Sequence, residues 1–183
     1  MKVKYLFMAA IVLLRCVNAL VAGVPGDISV GLRLHKAHKL YWENGLTAEY
    51  SSANLWTHRL HFGLTYHSSR FGTAVNSNAL KQDNILLSTS LYFRHGKLLR
   101  PAAKLNIGYF HADYESAIFD DLPNSSLLLS FESGLAVDPS GPLRFDLTLG
   151  FNLITGDGMK GPGTIFPLFY QLSTRWTIPR RDK

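Results

Sequence analysis

A two-residue alternation from Trp56 to His67 constrains this chain more than any other feature of it. Trp56, Leu60, Phe62, Leu64 and Tyr66 share one parity; Thr57, Arg59, His61, Gly63, Thr65 and His67 share the other. Successive side chains of a strand leave opposite faces of the backbone, so this segment is a strand with one greasy face and one polar, charged face.

The pattern recurs. Strands are predicted over Asp27–Leu34, Leu46–Ser51, Trp56–His67, Ile85–Arg94, Ala103–Phe110, Ser126–Val137, Leu143–Leu153 and Leu168–Ile178. The seventh is the cleanest, with Leu143, Phe145, Leu147, Leu149, Phe151 and Leu153 set against Arg144, Asp146, Thr148, Gly150 and Asn152. Several approach the ~9–11 residues that cross a bilayer when tilted. No segment sustains a helical period. The connections alternate as well. Ser51–Asn54, His95–Lys97 and Asp138–Pro142 are short, whereas those around His35 to Gly45, Ser68 to Asn84, His111 to Ser125 and Ile154 to Pro167 are longer. Short turns at one end and long loops at the other mark an up-and-down barrel that crosses a membrane.

Residues 1–22 read as a secretory signal peptide, leaving 23–183 as the barrel domain. Lys2 and Lys4 precede an apolar run from Tyr5 to Leu14, and small residues follow at Ala19 and Ala22. That run is too short for a membrane-spanning helix, which needs ~20 apolar residues. Loss of Lys2, Lys4 and Arg15 with the leader lowers the formal charge from +6 to +3. With no Lys/Arg cluster, so mild a charge gives no reason to expect a nucleic-acid partner. The single cysteine, Cys16, lies in the leader, so the mature chain has no disulfide and no Cys-ligated metal.

Which face turns outward follows from bulk. Eight strands enclose room only for side chains or one small ligand. The apolar face is too dense in Leu, Phe, Tyr and Trp to fill such an interior, while the polar parity carries Gly31, Gly63, Gly108, Gly134 and Gly150. Tyr50, Trp56, Tyr66, Phe93, Tyr109 and Trp176 sit toward strand ends on the apolar parity, as in an interfacial aromatic girdle. The apolar face therefore meets lipid. Arg33, Glu49, Arg59, Lys104, Glu132, Arg144, Asp146 and Arg175 then share the lumen, where they must be paired or hydrated.

In this pattern residues 27–178 resemble the small eight-stranded bacterial outer-membrane barrels of the OmpA and OmpX type. The resemblance implies an all-β, eight-stranded antiparallel transmembrane β-barrel in the bacterial outer membrane. It also implies a monomer among lipid and lipopolysaccharide, with four long loops open to an extracellular ligand. Trp176–Thr177–Ile178 is followed by Pro179 to Lys183, which departs from the aromatic carboxy terminus common in such barrels. The lumen charges suggest a structural plug and a structural or surface-interaction role, with a narrow anion-preferring channel as the other use of the same residues.

His67–Ser68–Ser69 also resembles the His-x-Ser element of outer-membrane lipid A 3-O-deacylases, which implies His67 as base and Ser69 as nucleophile in acyl-ester hydrolysis. The family's pair faces lipid near the carboxy terminus. Here His67 has lumen parity and lies in the third strand, which argues against an enzyme. No cofactor and no metal site is expected. His35, Lys36, His38 and Lys39 read as a basic first loop; Asp113, Glu115, Asp120 and Asp121 read as an acidic third loop whose spacing matches no calcium loop.

Overall fold

A computed structural model describes residues 26–37, 42–52, 54–56, 58–69, 80–94, 96–114, 124–139, 141–155 and 168–178. The leader, His38, Lys39, Glu115, Asp120, Asp121 and the tail from Pro179 lie outside them, as does the side chain of Ser69.

The described chain is eight strands: β1 (Asp27–Ala37), β2 (Trp42–Ser51), β3 (Leu60–Ser69), β4 (Leu80–Tyr92), β5 (Leu99–Tyr114), β6 (Ser125–Val137), β7 (Leu143–Thr155) and β8 (Leu168–Ile178). Each pairs antiparallel with its sequence neighbours, and β8 returns to β1 to close the barrel. Closure leaves no edge, so the ladder satisfies its backbone donors and acceptors without water.

The alternation acts as expected. Leu32, Leu46, Leu87 and Leu147 are each about 60% exposed on the outer wall. Arg33, Lys104, Glu132 and Arg175 are each 1% exposed inside. A soluble barrel has the reverse distribution. This one keeps its apolar residues outside and its charges within, as a lipid-facing wall requires. Trp56, Phe93 and Trp176 ring the short-turn end, and Trp42, Tyr66, Tyr109 and Tyr170 ring the other, all of them exposed. Two aromatic belts flank a band of mainly leucine, isoleucine and phenylalanine.

Strand ends differ from the sequence expectation. β1 and β2 run on until His35 pairs with Glu43 and Lys36 with Trp42, so their connection shrinks to residues 38–41 and only three loops are long. β5 likewise gains residues at both ends. β3 is shorter than expected. Trp56 and His58 have φ of 49° and 58°, and Arg59 N donates to Trp56 O at 3.1 Å, so this stretch forms turns and the ladder starts at Leu60. Arg94, with φ 53°, belongs to the β4–β5 turn with Gly96.

Candidate functional site

Among the described residues the fold concentrates its chemistry in the lumen, where the side chains lie in four groups. Glu49 (β2), Lys104 (β5), Asp146 (β7) and Arg175 (β8) meet in the middle. Arg175 donates to Glu49 Oε2 and contacts Asp146 Oδ2. Lys104 Nζ lies 3.6 Å from Asp146 Oδ2 and 3.9 Å from Glu49 Oε1. These last contacts are ionic and too long for hydrogen bonds. Ser173 Oγ donates to Asp146 at 2.9 Å.

Glu132 (β6) anchors a second group. It accepts from Asn106 and Thr148 at 2.8 Å and from Gln171 at 2.9 Å, with Arg33 Nη2 at 3.9 Å. Arg33 also donates to Thr65 Oγ1 at 3.1 Å. Four buried Arg/Lys side chains (Arg33, Arg100, Lys104, Arg175) stand against four buried carboxylates (Glu43, Glu49, Glu132, Asp146) among the described residues.

Tyr92 lies buried toward the short-turn end. Arg175, Arg100 and Arg144 lie 5.1, 5.2 and 5.4 Å from its ring centre, within cation–π range. Arg100 and Arg144 share one oxygen of Asp138 at 2.9 and 2.8 Å.

Six of the eight charges expected in the lumen are therefore brought into the two inner groups: Arg33, Glu49, Lys104, Glu132, Asp146 and Arg175. Arg144 stands at the mouth, half-buried against Asp138. Arg59 is a correction. It is exposed in the turn before β3, because lumen parity has no meaning where the backbone is not a strand.

His67 turns inward and is 2% exposed, so it offers no base to a membrane lipid. Its Nδ1 lies 3.6 Å from Glu43 Oε2, and Glu43 Oε2 lies 3.7 Å from His35 Nε2. Neither Glu43 nor His35 was expected here, since His35 read as part of a loop. The available signal was parity: His35 continues Arg33, and Glu43 precedes Gly45, Thr47 and Glu49 on the same face. Arg100 was missed for the same reason, at the other rim, whereas Tyr92 lay inside the predicted strand Ile85–Arg94, on its polar parity, and was passed over because it carries no charge.

Neither a protein-family model nor a curated protein sequence matches this chain. Solved structures do match its fold. The N-terminal β-barrel domain of Pseudomonas aeruginosa OprF superposes with a TM-score of 0.62 at 11% identity, over 84% of this chain and 98% of that one. Outer membrane protein H (OprH) of P. aeruginosa gives 0.56 at 13% identity, over 83% and 99%. A de novo designed transmembrane β-barrel gives 0.52 at 11% identity, over 84% and 97%. The fold is that of the small eight-stranded outer-membrane barrels. The designed match shows that this architecture can exist without an inherited function, so any role must be argued from the lumen and loops.

Proposed function

We propose that the protein is a structural barrel of the bacterial outer membrane whose lumen is plugged, with its longer loops available for contact at the cell surface. One observation carries this reading: the balanced, side-chain-filled interior in which Arg175, Lys104, Glu49 and Asp146 span the barrel from wall to wall. An ion crossing this level has to displace paired charges, each already desolvated and compensated by its neighbours. Lipid and lipopolysaccharide are the expected surroundings, and a loop ligand would act without entering the barrel.

Reconstitution into planar bilayers tests the reading. A plugged barrel leaves the membrane at its baseline current. Steady unitary openings, altered in size or ion preference by Arg175→Ala, would replace the plug with a channel.

A further inference from the structure

The long-loop end of the lumen holds a second kind of chemistry that the plug does not use. His35 on β1, Glu43 on β2 and His67 on β3 are buried together, and one ligand atom from each lies within 4.8 Å of the others. The ladder places them there. His35 pairs with Glu43, and Gly45, next on Glu43's face, pairs with His67. We propose that these three side chains bind a single divalent transition-metal ion of the zinc type.

Two of the three spacings are close to those around an ion, while the imidazole nitrogens lie within 4.8 Å and have to draw together to share it. Glu43 Oε2 lies 3.7 Å from His35 Nε2 and 3.6 Å from His67 Nδ1, beyond hydrogen-bond length. Ligands around a tetrahedral ion with bonds of about 2.0–2.1 Å stand about 3.3–3.4 Å apart. Two imidazoles on one such ion place their ring centres about 5 Å apart; here the centres are 5.3 Å apart at an interplanar angle of 67°. The donor set, two imidazoles and one carboxylate, is one that zinc takes with a fourth position left for water. The adjoining cavity of about 10 Å³ leaves space for one such molecule.

The surroundings hold these ligands in place. Asn84 Nδ2 donates to Glu43 Oε1 at 3.1 Å and is itself positioned by Gln82, whose Nε2 donates to Asn84 Oδ1 at 3.0 Å. That leaves Oε2 directed at both imidazoles. Phe169 stacks on His35, with ring centres 4.2 Å apart, and Gly150 provides its space, since a Cβ there would stand 2.0 Å from Phe169 Cζ. His35 Nδ1 and His67 Nε2, the ring nitrogens on the far side from Glu43, are buried without a hydrogen-bond partner among the described residues and would stay so with the ion bound. An ion held by Glu43 Oε2 and the two ring nitrogens nearest it would fix both imidazoles. Bound there, it would tie β1, β2 and β3 together at the rim.

The test uses the full barrel refolded into detergent with Co²⁺ alone and then dialysed, because the site is closed once the barrel forms. The expected result is one retained ion per chain, with the visible absorption of tetrahedral Co²⁺, lost when Zn²⁺ but not Mg²⁺ competes during refolding. His35→Gln, Glu43→Gln and His67→Gln should each weaken binding at least 100-fold. Asn84→Ala should weaken it 10- to 100-fold, and His111→Ala, at an exposed site, should leave it unchanged. Circular dichroism and heat-dependent gel mobility confirm that each variant is folded. A folded wild-type barrel that retains no ion overturns the proposal, as does retention unchanged in His35→Gln and His67→Gln. Either result leaves the plugged lumen untouched, since that is read from conductance.

Discussion

Gly45 stands directly across the β2–β3 ladder from His67, and a Cβ on it would come within 2.4 Å of the imidazole Cδ2 and 2.6 Å of the Tyr66 carbonyl. The carbonyl is backbone and cannot step aside, so Gly45→Ala should destabilise the barrel by about 1–3 kcal/mol, the range for forcing extra volume into a packed site. Gly141→Ala, where a Cβ meets nothing within 4 Å, should be neutral. Urea titrations of the two variants in lipid vesicles make the comparison.

Glu49 compensates more than one cation. It accepts from Arg175, with Lys104 Nζ 3.9 Å away. Glu49→Ala should cost about 3–5 kcal/mol, because it leaves buried positive charge without its counterion. The Lys81–Asp113 pair, 3.7 Å apart on the exposed rim, offers the contrast. Asp113→Ala should shift the same unfolding curve by at most about 1 kcal/mol.

The orientation of the wall has its own test at Leu87. It lies near the middle of β4, 61% exposed between Leu64 and Ile107 on the neighbouring strands. Leu87→Arg should destabilise the membrane-inserted barrel by about 2–4 kcal/mol, the cost of arginine at the bilayer midplane. If vesicle-inserted protein tolerates the change, the outer face does not meet hydrocarbon there.

At the short-turn mouth, Asp138 Oδ2 accepts from both Arg100 and Arg144. Asp138→Asn weakens two charge-assisted hydrogen bonds at once. The expected loss is about 1.5–3 kcal/mol, and Arg144→Ala should cost less because Arg100 keeps its partner. Unfolding midpoints of the two variants decide the order.

Most of the wall was legible because each strand reports its two faces in alternate letters. The rims were not. At His35 and Glu43 the outward neighbours Lys36, Trp42 and Asn44 are polar or aromatic as the strand leaves the lipid, the contrast between parities fades, and the residues read as loop; Arg100, between Leu99 and Pro101, was left with the His95–Lys97 turn that precedes it. Arg59 failed the opposite way: its parity was right but its backbone had already turned, with Trp56 and His58 in left-handed conformations. Alternation also hid the apolar residues that face inward. Leu86, Phe110 and Leu128 pack together on the lumen side, where the pattern leads one to expect polar groups. Pairing across the lumen was beyond reach, because it depends on which strands oppose each other and not on their order.

Ile28 and Ile178 sit in register across the β1–β8 ladder, so both ends of the described barrel emerge at the same rim. A short peptide could splice them there, and the circle could then be opened at any other connection. Such a circular permutant keeps every strand beside the same two companions. The join between first and last strand is one seam among eight equals, and the architecture belongs to the ring of neighbours whatever point along it the ribosome begins from.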